Sequence, residues 1–460
     1  MTSVDQAAAP ILAAPPPCKG RMSFFEFVRT MRDNSIATFA EEAFERDILM
    51  RRVLWQRSCL VNDPAGIKHV LLDNAANYTK TSIARRLLEP GLGKGLITAE
   101  GEIWRRHRRI MAPSFDYRSI LSYSPIMTQA ADELMAKWQK LPEGTTIDVA
   151  EAMMQTTLTI ISRTMFSSDS DHIVDIVGRG VQRYQAEVRP TLADFLGLPQ
   201  WLSHRAKLQA SGRALSEFDI AINRLIETRI QNPDASPNDL LGRLVAARDE
   251  ENSGGMSSQE VRDEVITIFM AGHETTSLAL TWVWYLLSQH PAEEAKLHSE
   301  IKTVLGGRPP QHEDLAKLTY TRMVIEEAMR LYPPAHTISR TPRADDEICN
   351  MRVRKGSVVL ISPWVLHRHR RLWERPGVFD PERFAPERAA ARPRFSYLPF
   401  GAGPRICIGA AFAMAEAMLI LAAIAQRYSL RLAPGHKVEP QGLITLRARY
   451  GLKMTIKPND

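Results

Sequence analysis

The chain has 460 residues, 44% hydrophobic and 24% charged, which excludes a disordered, collagen-like or low-complexity polypeptide. Lysine and arginine outnumber aspartate and glutamate by 59 to 52, a net charge of +7 that is too mild to choose among an acidic protein, an anionic surface and nucleic acid. The four cysteines, Cys18, Cys59, Cys349 and Cys407, are scattered without a CxxC pair. That spacing excludes a disulfide framework and points to a reducing, cytoplasmic setting.

In chain order, residues 1–20 are rich in Ala and Pro and are expected to form a flexible leader. They lack a basic n-region and an apolar run long enough to cross a bilayer, and no later segment has 18 uninterrupted apolar residues, so no membrane anchor is expected. Length alone allows about three average domains. No linker interrupts the chain after the leader, however, so residues 21–460 are assigned to one domain. "DILMRRVLWQRSCLV" predicts two short strands, and "NDPAGIKHVLLDN" predicts a helix with Asp63 as N-cap and Pro64 at its first position. Apolar periodicity predicts helices over 117–140, 149–167, 204–231, 258–289, 291–305 and 316–332. Loops are expected at 233–239 and 252–255, and strands at 351–362 and after 427. The fold class is mainly α with a minor β region (α+β).

One stretch, "FGAGPRICIG" from Phe400 to Gly409, carries the chemistry. Gly401 and Gly403 permit backbone conformations other residues resist, and Gly409 lets the chain approach something bulky. An apolar helix pattern follows, so Cys407 is expected at or just before a helix N-terminus, where the dipole favours the thiolate. A buried small core residue is the plain alternative. A nucleophile would want a base partner, zinc would want more Cys or His nearby, and a haem iron needs only one cysteine.

The loop Phe400–Gly403–Arg405–Cys407–Gly409 resembles the haem-binding FxxGxRxCxG signature of the cytochrome P-450 family, the haem-thiolate monooxygenases. Three further motifs follow that family's pattern. "EAMRLYPP" places Glu327 and Arg330 on one helical face, and with "FDPERF" the resemblance implies a buried network of Glu327, Arg330 and Arg383. "AGHETT" puts Glu274 and Thr275 in an otherwise apolar helix, with small residues Ala271 and Gly272 beside them. The resemblance makes Thr275 and Glu274 the oxygen-activation and proton-delivery residues and implies a local break in the helix there. "GEIWRRHRRIMAPSF" places Trp104 and Arg108 four apart, two donors suited to a haem propionate. Arg105, Arg106 and Arg109 are expected on a solvated cationic surface.

The resemblance covers residues 21–460 and implies haem b between a long central helix and the cysteine loop with its following helix. Cys407 would be the axial iron ligand, with Phe400, Gly401, Arg405, Gly409, Trp104, Arg108, Arg340 and Ala271 around the cofactor. Ile268, Gly272, Ile338, Ile97 and Leu443 would border a hydrophobic small-molecule substrate, with O2 as co-substrate. No flavin or iron–sulfur domain follows Asp460, so electrons are expected from a separate donor, an acidic ferredoxin with its reductase. A monomer is expected. Alternatives are a peroxide-using or isomerising haem-thiolate enzyme and, more remotely, a haem-based sensor. "GLGKG" (91–95), "HETTS" (273–277), "RRHRR" (105–109) and "HRHRR" (367–371) superficially suggest phosphate, zinc or nucleic-acid sites. None has the required spacing or module, and no nucleic-acid partner is expected.

Overall fold

The computed structural model describes residues 12–20, 22–53, 56–167, 180, 205–232, 239–248 and 254–459. Most of the leader, the 233–238 part of one expected loop and residues 252–253 of the other lie outside them. The longer helices are α1 (Phe24–Asp33), α2 (Ser82–Leu92), α3 (Gly101–Met111), α4 (Tyr117–Trp138), α5 (Val149–Phe166), α6 (Arg205–Gln231), α7 (Leu240–Ala246), α8 (Ser258–Gln289), α9 (Pro291–Leu305), α10 (Thr319–Leu331) and α11 (Ala410–Arg427). The strands are β1 (Ile48–Val53), β2 (Gln56–Val61), β3 (Tyr78–Thr79), β4 (Thr146–Asp148), β5 (Ile338–Pro342), β6 (Asp346–Ile348), β7 (Met351–Val353), β8 (Val358–Ile361), β9 (Tyr428–Leu432), β10 (Pro440–Gly442), β11 (Leu446–Ala448) and β12 (Lys453–Pro458).

The main sheet has the order β1-β2-β8-β5-β3. β2 and β8 pair in parallel and the other neighbours are antiparallel. Ile338 and Arg340 are two apart on β5, so they share a face. Both strands expected from "DILMRRVLWQRSCLV" form. Asp63 caps the short helix Pro64–Lys68 by accepting from Gly66 N at 2.7 Å.

α8 is the axis of the molecule and packs against α5, α6, α10 and α11. Ser257 and Glu260 form a capping box at its start. From Val261 to Leu287 every residue is buried except Ala271, Gly272 and Thr275. Farther along, the Trp282 ring stacks on Tyr332 with centroids 4.1 Å apart. α10 begins at Thr319, three residues later than expected, because Glu300 of α9 accepts from Tyr320 N (2.6 Å) and Thr321 N (2.8 Å) and so caps it from outside.

Among the described residues, α11 is the helix long and apolar enough to span a bilayer. It is instead core: Leu419, Ile420 and Leu421 are each 0% exposed. The described end of the leader is also packed. Ala13 N donates to Tyr285 Oη (3.2 Å), Tyr332 Oη donates to Ala13 O (2.8 Å), and Cys18 N donates to Phe39 O (2.9 Å). Residues 12–18 therefore belong to the packed structure rather than to a free leader. Their backbone groups find buried partners that a leader in water would not.

Candidate active site

Cys407 lies three residues before α11, in a loop closed by its own N–H donating to Phe400 O at 2.9 Å. Gly401 and Gly403 have φ of 71° and 69°, a region side chains avoid. At Gly403 a Cβ would also run into the Leu71 carbonyl. The thiol is enclosed by protein yet keeps accessible surface, as expected of a residue lining an internal cleft. The expected lowering at the helix end is present, through the Gly409 N–H, but it is not the largest effect on the free thiol. Burial pushes the thiol up, outweighing the Gly409 N–H and Arg108, which pull it down. A bound metal ion would supply the missing stabilisation of the thiolate.

The cations expected around the cofactor each have a partner within the chain. The Arg405 guanidinium lies 4.4 Å over the Trp104 ring, pairs with Glu100 and donates to Ala99 O at 3.1 Å. Arg108 Nη1 donates to Ile406 O at 2.8 Å, beside the cysteine rather than beside Trp104's partner. Arg340 is half-buried close to Arg405, and its own Nη1 donates to Ser339 O at 2.9 Å. Lys80, which carried no signal in the sequence, joins them: its main-chain N–H donates to Glu100 (2.9 Å) and its ammonium to Leu96 O (3.3 Å). Burial, then Arg405, lowers Lys80 to about 7 and Arg340 to about 10, against the pull of Glu100. Three half-buried cations thus stand near one carboxylate, Glu100, which pairs with Arg405 alone. That surplus of positive charge fits the two carboxylates of a haem, and the accessible thiol beyond it fits an axial ligand.

On α8, Ala271 and Thr275 stand one turn apart on one face, half-buried together with Gly272 in a stretch that is otherwise enclosed. The expected helix break does not occur: α8 is continuous, and Thr275 Oγ1 donates to Ala271 O at 2.7 Å. Hydroxyl back-bonding of this kind is compatible with an intact helix. Glu274 is 7% exposed, and its Oε1 accepts from Thr445 Oγ1 at 2.8 Å. A Cβ at Gly272 would stand 3.4 Å from Ile161 of α5, ordinary contact distance, and this glycine is half-buried like Ala271 and Thr275. Ile268 is 7% exposed and packs in the same apolar cluster as Ile97. Ile338 Cδ1 faces the Gly401 Cβ position at 3.8 Å. Leu443 sits in the turn between β10 and β11, held by His336 Nε2 against its carbonyl at 3.0 Å. Burial pushes His336 down to about 4, so this ring is neutral.

Glu327, Arg330 and Arg383 do come together. Arg330 donates to both Glu327 oxygens at 2.6 and 2.7 Å, and Arg383 Nε lies 3.3 Å from Oε1. Arg330, 0% exposed, also donates to His367 O, Pro376 O and Val378 O. It thereby fixes the segment that leads to the cysteine loop. The two basic runs are not a common surface. Arg106 pairs with Glu260 at 2.7 Å rather than lying solvated, while Arg105 is exposed beside Glu102. His107, His367 and His369 are buried, and Arg368 stacks 3.6 Å from the Trp364 ring.

The family description for Cytochrome P-450 matches residues 14–454. The chain is 39% identical over 396 residues to "Cyclooctatin synthase" of Streptomyces melanosporofaciens, covering 84% of this chain and 83% of that one. It is 34% identical to "Pentalenene oxygenase" of Streptomyces avermitilis over 79% of this chain and 80% of the relative. The fold superimposes on the crystal structure of the cytochrome P-450DA haem domain with a TM-score of 0.82 at 23% identity, over 98% of this chain and 99% of the other. Members of this family hold haem b through a cysteine thiolate. A chain matched over residues 14–454, with one accessible cysteine before α11 and a surplus of half-buried cations nearby, belongs to the cytochrome P-450 family and is a monooxygenase of that family.

Proposed function

We propose that this enzyme inserts one atom of O2 into a hydrophobic cyclic terpene, taking its electrons from a separate acidic ferredoxin-type donor. The observation that carries the reading is α8: a helix buried for seven turns opens at Ala271 and Thr275, with the acid Glu274 adjoining. When bound, haem supplies the oxygen chemistry, and Cys407, Arg340, Arg405 and Lys80 are the residues that would hold it. The chain's own part is orientation and proton handling. Thr275 Oγ1 offers a hydroxyl that can turn from the Ala271 carbonyl toward the reaction, and Glu274 Oε1, steadied by Thr445, is the acid able to recharge it. Ile97, Ile268, Ile338 and Leu443 supply an apolar border that orients a substrate without polar handles. Relatives named for oxygenating terpenes support that substrate class. The net charge of +7 and the exposed Arg105 on α3, the helix that touches the cysteine loop through Arg108, support an acidic donor. The catalytic domain is taken as 21–460 together with the packed residues 12–18.

The test is a titration of cyclic terpenes followed by the haem spin-state change, then turnover with a ferredoxin and reductase and mass analysis for one added oxygen. Turnover with hydrogen peroxide alone, and none with O2 and the electron donor, would overturn the reading.

A further inference from the structure

His336 joins two sheets that share no strand pairing. Its main chain leads into β5 of the main sheet, where Ile338 pairs with Ile361 of β8, and its carbonyl accepts from Ser362 Oγ at 2.9 Å. Its side chain reaches the other sheet, the β10–β11 hairpin, with Nε2 3.0 Å from Leu443 O at the hairpin tip. A carbonyl can only accept, so Nε2 carries the ring hydrogen, and Nδ1 accepts from Thr337 Oγ1 at 3.0 Å. That is the tautomer of a neutral ring, in keeping with an exposure of 4%. The hairpin comes close because Gly442 has no side chain: a Cβ there would stand 3.3 Å from His336 Nε2 and 2.8 Å from Ile36.

The base of the hairpin is pinned elsewhere. Gly442 N donates to Asn34 Oδ1 at 2.8 Å, and Gly442 O accepts from Ser35 Oγ at 2.9 Å. Leu446 N donates to Pro334 O at 2.9 Å, and Leu446 O accepts from Trp282 Nε1 at 3.1 Å. Among the described residues the tip between them, Leu443 to Thr445, is held by His336 on Leu443 O, by its own Leu443 N donating to Thr445 O at 3.0 Å, and by Thr445 Oγ1 on Glu274. Thr445 thus sets the tip against α8, and His336 sets it against β5. We propose that His336 is a positioning residue that determines specificity: its hydrogen bond to Leu443 O fixes the separation of two apolar walls, Ile338 on β5 and Leu443 on the tip, and so the breadth of substrate accommodated between them. That these walls border the substrate rests on the proposed function; the tie between the sheets does not. With the base anchored independently, loss of the tie loosens the tip and leaves the hairpin formed.

The experiment uses the full-length, haem-loaded protein and two ligands that bind haem iron through an azole nitrogen, imidazole and the broader 4-phenylimidazole, titrated by haem absorbance. His336→Phe keeps a ring and removes the donor, whereas His336→Gln keeps a donor in the place of Nε2. The Phe variant is expected to favour 4-phenylimidazole over imidazole by about three- to tenfold more than the parent does, the worth of one hydrogen bond, and the Gln variant to restore the parent ratio within about twofold. Hydrogen–deuterium exchange at the Leu443 amide should speed up several-fold with Phe and not with Gln, while peptides from Ala410–Arg427 keep their rates. If the fold rejects Phe, seen as lost far-UV dichroism, His336→Leu, smaller and equally without a donor, takes its place. An unchanged azole ratio in the variant without a donor would overturn the proposal. Equal changes with Phe and with Gln would overturn it too, because side-chain volume rather than the hydrogen bond would then set the wall. A shifted azole ratio alongside cyclic terpenes that cause no spin-state change would overturn the proposed substrate class and leave the tie standing.

Discussion

Glu416 offers the sharpest test of the buried electrostatics. It interrupts an apolar helix, is 1% exposed, and leaves Oε2 without a hydrogen-bond partner among the described residues. Thr276, which adjoins Thr275, is its hydrogen-bonding neighbour. Burial pushes the carboxyl up from an ordinary 4.5 to about 8, with the Thr276 hydrogen bond a smaller opposing effect. Below pH ~4.5 both folded and unfolded chains carry the proton and the site costs nothing. Between about 4.5 and 8 the unfolded chain ionises while the folded one does not, so stability falls by about 1.4 kcal/mol per pH unit, to a total of about 5 kcal/mol. Above pH ~8 the penalty is constant. Glu416→Gln keeps the size and a partner for Thr276 but cannot ionise. Urea denaturation followed by far-UV circular dichroism should show the Gln variant gaining on the parent by roughly 3 kcal/mol between pH 5.5 and 7.5. A difference that stays constant over that range would mean that Glu416 is ionised in the folded protein, and the reasoning would fail.

Cys407→Ala should abolish the thiolate-type absorbance of the reduced carbon monoxide complex while leaving far-UV dichroism intact; retention of that band would remove the ligand assignment. Thr275→Ala should keep haem content and divert reducing equivalents into hydrogen peroxide, measured as peroxide per NADPH, whereas full coupling would show the hydroxyl to be dispensable. Glu327→Ala strands Arg330 at 0% exposure and should lower stability by about 3–5 kcal/mol, read as a lower urea midpoint. A loss below ~1 kcal/mol would put this pair in the regime of surface ion pairs. Lys80→Met should speed haem transfer to apomyoglobin several-fold, because it removes one of the cations placed to hold the haem carboxylates, and no effect would remove it from the cofactor site.

Much of this protein was legible before any coordinate. The long helices followed from apolar spacing, because a helix needs only its own hydrogen bonds and one face to bury. Asp63 and Pro64 announced a helix start through local capping geometry. The cysteine loop and the Glu327–Arg330 pair were visible because their parts lie within one turn or one short loop. What the sequence withheld was set by contacts between distant segments. Glu300 decides where α10 begins from 19 residues away. Thr445 meets Glu274 across 171 positions, and His107 meets Glu264 across 157. Lys80 stands in a short polar stretch with no periodicity, and only the meeting of β5, the cysteine loop and Glu100 makes it part of a cation cluster. The burial that opposes the Gly409 N–H at Cys407 was likewise hidden, because a helix terminus is a local feature and desolvation is not. Local pattern fixes which elements form and where reactive residues stand along them; whether a buried charge finds a partner depends on which far segments the fold brings to it.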